Sequence, residues 1–429
     1  MKNRAQCLSV RIFCVILRII LLLHVQLLII VMYMKKLKFG LLSKIIVAII
    51  LGISLGTVTP AMPVRVFVTF NALFGEFLGF LIPLIIVGLV TPAIADIGKG
   101  AGKLLLATVL LAYEATILSG FMSYGVGHTV FPSLISDNLH IAEISKADGV
   151  EPYFTVEIPA PMNVMTSLVM AFTLGLGIAH LGTQSLKNVF SEFRDIITKT
   201  IQVVILPLLP VYIFGIFFNM THSGEVFKVL SVFVKIIGVI FAMHIFLLIF
   251  QYVVASVFVR KNPFRLLANM MPAYFTALGT QSSAATIPVT LRQTIRNGVD
   301  KDIAGFVVPL CATIHLSGST MKIVACALAL MMMQGMTYDF QSMAGFIMML
   351  GITMVAAPGV PGGAIMAALG ILSSMLGFDK QSQALMIALY IAMDSFGTAC
   401  NVTGDGALAL IIDRIFKSKK GFLKVKKDF

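Results

Sequence analysis

Apolar runs and short polar connectors alternate along most of this sequence. From Met34 onward, runs near 41–57, 66–94, 103–130, 160–182, 196–219 and 227–259 approach or exceed the roughly 20 residues that a helix needs to cross a bilayer. Threaded alternately from a cytoplasmic start, they put Lys99, the 183–199 connector and Arg260 on one side, as the positive-inside rule requires.

After residue 260 the pattern changes. Residues 266–290, "LLANMMPAYFTALGTQSSAATIPVT", are apolar at both ends and polar in the centre, with Arg260, Lys261 and Arg265 before them and Arg292 and Arg296 after. Basic flanks on both sides predict a segment that enters the membrane and turns back. The next run, 303–333, is interrupted by "HLSGST" (315–320). The arrangement then recurs. Residues 342–377 hold "AAPGVPGGA" (356–364) between apolar arms with few basic flanking residues, and the run 383–416 is interrupted by "SFGTACNVTGDG". A hairpin followed by a broken helix, twice and from opposite faces, predicts an inverted repeat. Such paired interruptions mark transporter binding sites near the midplane, because irregular backbone at that depth survives only beside protein or a water-filled cavity.

Composition agrees with this reading. Hydrophobic residues make up 58% of the 429 and charged ones 12%, with a mean hydropathy of +0.98. A soluble domain of this length would carry more charge, so the chain reads as an all-α, multi-pass integral membrane protein. Its formal charge of +13 would suit nucleic acid if it were spread over a surface. Instead it collects in connectors ("KKLK" at 35–38, Lys99, Lys103, "RKNPFR" at 260–265, Lys301) and in the tail "KSKKGFLKVKK". That placement argues against a nucleic-acid partner. It suggests a cytoplasmic C-terminus beside anionic lipid, in a plasma or inner membrane. In the connector "SDNLHIAEISKADGVEPYFTVE" (136–157) the charged residues are mostly Asp and Glu, and it reads as external. Cys7, Cys14, Cys311, Cys326 and Cys400 sit in apolar runs, and neither they nor the scattered histidines have metal-ligand spacing. No transition metal or organic cofactor is expected.

The chain divides into four parts: an N-terminal extension (1–33), six spans (34–260), a core of hairpins and broken spans (261–416) and a basic tail (417–429). The extension is an apolar run interrupted by Arg11, Arg18 and His24, without a small-residue cleavage site, whereas "MKKLKFGLLSK" from Met34 looks like a natural start. An upstream misassigned start and an extra membrane segment are the two readings of it.

Asp394, Thr398, Asn401 and Asp405 are spaced by four, three and four residues and so share one face of a helix. Carboxylates at membrane depth mark substrate or ion pathways; the plainer reading is a polar stripe that joins helices. Gly397, Gly404 and Gly406 would let the helix open and free carbonyl oxygens for a hard cation beside Asp405.

"NVTGD" with Asp394 upstream, "PGVPGG" and "SSAATIPVT", in this order and spacing, resemble the dicarboxylate/amino acid:cation symporter family, the bacterial relatives of glutamate transporters. The resemblance is strongest from about 260 to 416, and "FLGFLIPLIIVGLVTPAIADIGKG" (77–100) resembles the family's second span. It implies a homotrimer with about eight spans and two re-entrant hairpins per protomer, each protomer moving its own transport domain in an elevator-like way. It also implies roles. Asp394 would hold the substrate's α-amino group, and Thr398 and Asn401 would bind substrate, Asn401 through the α-carboxylate. Ser282 and Ser283 would form the inner hairpin tip. Gly359, Val360, Pro361 and Gly362 would form the outer tip, which acts as a gate. Asp405, with Asn401 and Thr116, would bind the coupling cation.

Two departures stand out. Members that carry acidic substrates have an arginine three residues after the aspartate, where this chain has Gly397. A side-chain carboxylate would then lack a partner, which favours serine, threonine or alanine over an acidic amino acid or C4-dicarboxylate. The family's Asn-Met-Asp-Gly-Thr is here "HLSGS", so His315 and Ser317 replace an amide and an anionic ligand, and Lys322 follows. Lys322 is expected to supply a charge that sodium would otherwise bring, with Glu114 (in "LLAYEATIL") or Asp405 as its partner. The alternative is snorkelling or a structural ion pair. His315 is either a proton-coupling group or a neutral core histidine, so protons remain an alternative to sodium. A membrane enzyme is disfavoured because no histidine partners the serines in sequence, and a channel because no ring-forming filter motif repeats.

Overall fold

A computed structural model describes residues 41–97, 103–135, 150–224, 226–357 and 361–424. The extension 1–33, most of the acidic connector, and Gly359 and Val360 lie outside these residues. Every regular element among them is helical: α1 (Leu41–Gly56), α2 (Ala61–Ile97), α3 (Lys103–Leu134), α4 (Val164–Leu181), α5 (Gln184–Thr200), α6 (Leu206–His222), α7 (Val226–Val259), α8 (Pro263–Thr280), α9 (Ser283–Arg296), α10 (Lys301–Ile314), α11 (Ser317–Met333), α12 (Phe340–Val355), α13 (Gly363–Leu376), α14 (Lys380–Ala392) and α15 (Asp394–Lys424).

Helix starts follow capping chemistry that can be read in the sequence. Asn163 accepts from the Thr166 N–H, Asn262 from Phe264 and Arg265, Asp339 from Ser342 and Asp379 from Ser382. Each satisfies a backbone donor that has no partner within its helix. α5 and α6 run together through one wide turn at Ile201–Ile205 into a 39-residue helix. The run expected at 196–219 therefore begins earlier, as the amphipathic α5. The wide turn precedes Pro207, which has no N–H to continue the ladder.

Among the described residues, six helical stretches (α2, α3, α4, α5 with α6, α7, and α10 with α11) are long and apolar enough to cross a membrane, and α14 with α15, bent by 62°, would count as a seventh if taken as one broken span. α1, α12 and α13 are shorter apolar helices. The tandem order of the sequence is present in the structure. The pair α8/α9 turns at Gln281–Ser282 and precedes α10/α11, which break at His315–Leu316; the pair α12/α13 precedes α14/α15. α2 packs on α4 and α6, whereas α3, α7, α8 and α14 surround α11 and α15. Every residue of α11 except Met332 is buried, as expected of a helix that is covered on all sides.

One expectation is corrected here. The last span does not open at 395–406: it breaks at Met393, and α15 is continuously helical from Asp394. Its glycines serve close packing instead. A Cβ at Gly404 would stand 2.5 Å from Gln251 Oε1, and one at Gly406 would stand 2.7 Å from the Tyr252 hydroxyl.

Candidate functional site

The polar face of α15 runs antiparallel to the break between α10 and α11, and the two pair in register. His315 meets Asp405, Gly318 and Ser319 meet Asn401, and Lys322 meets Asp394. Two glycines allow this approach. A Cβ at Gly318 would lie 2.7 Å from Cys400 Cβ and 2.8 Å from the Gly397 carbonyl oxygen. A Cβ at Gly397 would lie 2.8 Å from Lys322 Nζ.

At one end, Asp394 opens α15 directly after the bend and is 3% exposed. Its Oδ1 lies 3.0 Å from Lys322 Nζ, and its Oδ2 accepts the Gly362 N–H at 2.8 Å. Gly362 precedes α13 with φ 71°, a left-handed conformation that favours glycine. Lys322 is fully buried, and its Nζ sits 3.4 Å from the centroid of the Tyr390 ring. The Tyr390 hydroxyl donates to Ser319 Oγ at 3.1 Å. From the other hairpin, Gln281 Nε2 donates to Ser395 Oγ at 3.1 Å. Both hairpin turns therefore reach the first residues of α15. Ser282 caps α9 by accepting from the Ala285 N–H, and Ser283 and Thr398 are buried.

In the middle, Asn401 Oδ1 accepts from Gly318 N (2.8 Å) and Ser319 N (3.3 Å), and its Nδ2 donates to Ser319 Oγ (3.0 Å). Leu316, the residue before α11, has no side-chain oxygen to cap the helix. Asn401 supplies that oxygen from a different helix.

At the other end, His315 Nδ1 lies 2.9 Å from Asp405 Oδ1. Gln251 Nε2 donates to Ser317 Oγ at 3.1 Å, and Ser119 Oγ to the Ser317 carbonyl at 2.8 Å. His315 Nε2 and Gln251 Oε1 have no hydrogen-bond partner, and both side chains abut Gly404. The Asp405 carboxylate and the Gln251 carbonyl are the hard oxygen donors that a sodium ion could use here. The imidazole already engages one carboxylate oxygen. Thr116 is buried, with its hydroxyl donating to Ala112 O of its own helix at 2.8 Å.

The expected partner of Lys322 is also corrected. Glu114 is exposed on α3 and Asp405 pairs with His315, so Lys322 takes Asp394. The reason is reach: α11 and α15 are antiparallel, so a residue one turn beyond Ser319 meets the N-terminus of α15. Residues that sequence reasoning passed over are Tyr390, Gln281, Ser319, His244 and Gln251. Tyr390 lies four residues before Asp394 and extends its helical stripe across the bend. His244, whose Nε2 lies 3.0 Å from Gly318 O, and Gln251 stand seven residues apart in an apolar span, a polar spacing that could have been noticed. An open cleft of about 670 Å³ is lined by Gly75, Ser373, Asp379, Lys380 and neighbours, and by none of these residues.

Comparison with known proteins agrees with the geometry. The serine/threonine transporter SstT of Acinetobacter baylyi is 27% identical over 406 residues, which cover 90% of this chain and 100% of the relative. SstT of Streptococcus suis is 25% identical over 77% of this chain and 93% of its own length. Human excitatory amino acid transporter 2 is 29% identical over 62% of this chain and 46% of its own length. The model of the sodium:dicarboxylate symporter family matches residues 41–415. The chain thus belongs to the sodium:dicarboxylate symporter family, a family of multi-pass membrane transporters and not of enzymes.

Proposed function

We propose that this protein is a secondary active symporter that carries a small neutral amino acid such as serine, threonine or alanine into the cell, with sodium as the coupling ion. The observation that carries this reading is the placement of Asp394. A buried carboxylate opens a helix at a bend, the turn before α13 bonds it through the Gly362 N–H while the turn before α9 bonds its neighbour Ser395, and the residue one turn on is Gly397, where acidic-substrate members place an arginine. A carboxylate so placed pairs with an ammonium, and the absence of a guanidinium leaves a second carboxylate without its bidentate partner. Relatives named as serine/threonine transporters over most of the chain support the same substrate class.

In this reading Thr398 and Asn401 contact substrate, Ser282 and Ser283 form the inner tip and Pro361 and Gly362 the outer one, and Asp405 contributes to the cation site. The pairs α8/α9 and α12/α13 are re-entrant hairpins. The 261–416 core moves against parts of 34–260 as an elevator within a homotrimer, and the basic tail is cytoplasmic. One observation favours a second reading. The Lys322 ammonium lies over Gly397 and could take the role of the missing arginine, which would admit an acidic amino acid or a C4-dicarboxylate. Uptake of labelled serine into proteoliposomes, challenged with excess unlabelled alanine, threonine, aspartate or succinate, tests the choice. Competition by alanine and threonine alone is expected, and effective competition by aspartate or succinate would establish the second reading.

A further inference from the structure

Lys322 was expected to stand in for a sodium ion, but the structure puts it at the other end of the polar face. Its ammonium lies 3.0 Å from Asp394 Oδ1, and the Gly362 N–H takes Oδ2. Each oxygen of this carboxylate therefore already has a partner. Any substrate ammonium aimed at Asp394 meets one that is there already.

The surroundings of Lys322 are built for it. Its side chain is fully buried in the second turn of α11. It runs across Gly397, where a Cβ would stand 2.8 Å from Nζ and 2.9 Å from Cε, so a larger residue at 397 would require the lysine to shift. Its Nζ also faces the carbonyls of Tyr390 and Met393 at the end of α14, each at 3.4 Å, and the face of the Tyr390 ring. A helix C-terminus and an aromatic face both attract a cation. They give the displaced ammonium weaker partners when the carboxylate is taken from it, so the exchange does not leave it wholly bare.

We propose that Lys322 is a resident occupant of the amine subsite, a tethered ammonium that an amino acid must displace from Asp394 in order to bind, and hence a specificity-determining residue of this carrier. The proposal rests on the reading of Asp394 as the anchor for a substrate amine. Exchange replaces one ammonium on Asp394 by another, so the carboxylate itself is never left unpaired. The lysine thereby lowers affinity for amine-bearing ligands and does not lower it for amine-free carboxylates. An ion pair that merely holds α11 to α15 would show no such ligand dependence.

The test is calorimetric titration of the purified full-length protein with serine and with 3-hydroxypropanoate, which is serine without its amine. Lys322→Met should tighten serine binding by about tenfold or more, the order expected when a charge-assisted competitor is removed, and should not tighten binding of 3-hydroxypropanoate, an anion that gains nothing from loss of a cation. The double variant Lys322→Met/Asp394→Asn removes both charges and so avoids a buried unpaired carboxylate. It should bind the two ligands about equally. If wild type prefers 3-hydroxypropanoate and Lys322→Met reverses the order, the proposal stands and the amino-acid reading of the native carrier fails. Loss of serine affinity in Lys322→Met, equal changes for both ligands, or no binding of either ligand to any of the three proteins would overturn the proposal.

Discussion

At the scale of residues, the site consists of charges that already have partners. Asp394→Asn leaves a fully buried ammonium without its carboxylate, and breaking a buried pair in this way costs about 3–5 kcal/mol. The single variant should melt well below wild type, while Lys322→Met/Asp394→Asn should recover most of the loss. Melting temperatures of the four proteins in the cycle measure the coupling, and strictly additive losses would mean that the two side chains do not interact. The sequence named every charged member of this face, because aspartates, a histidine and a lysine in apolar runs are conspicuous. It did not name the pairing. Glu114 and Lys322 look like partners when α3 is known to lie near the break, but Glu114 turns outward, and 72 positions separate Lys322 from the aspartate it meets. Register between distant helices is a property of packing, which no local pattern records.

At the scale of elements, α11 is a helix whose first donors are satisfied from outside. Asn401→Ala removes the acceptor for Gly318 and Ser319, and should cost about 1–2 kcal/mol as a lost helix cap, or more because the donors are buried. Denaturation of the purified protein reads this, and an unchanged midpoint would show that water replaces the amide. Gly318→Ala would drive a methyl group into Cys400 and the Gly397 carbonyl. It should cost about 1–3 kcal/mol as overpacking, and an increase in stability would mean that α11 and α15 are less closely apposed than described. The order of paired and broken helices was legible, because each turn or break falls at a polar centre between apolar arms. The place of the last break was not. Gly397, Gly404 and Gly406 suggested an opened helix, yet α15 stays helical and the glycines let Lys322, Gln251 and Tyr252 approach its backbone. A glycine in a helix is ambiguous between these uses until its neighbours are known.

At the scale of the whole molecule, apolar run lengths foretold most of the crossing helices, and the family match over 41–415 agrees with the motifs that suggested it. The oligomer and the moving domain are not written in hydropathy, because both depend on which apolar faces meet protein and which meet lipid. The proposed homotrimer predicts that chemical crosslinking in native membranes yields dimers and trimers of the chain and no larger species; a monomer alone would contradict it. The central claim is that the chain is a carrier that couples substrate to sodium, and the most direct test is accumulation. Proteoliposomes with an inward sodium gradient should concentrate labelled serine above its external level, and a sodium ionophore added at the plateau should release it. Serine that only equilibrates with the outside, or a plateau that survives the ionophore, would contradict the account.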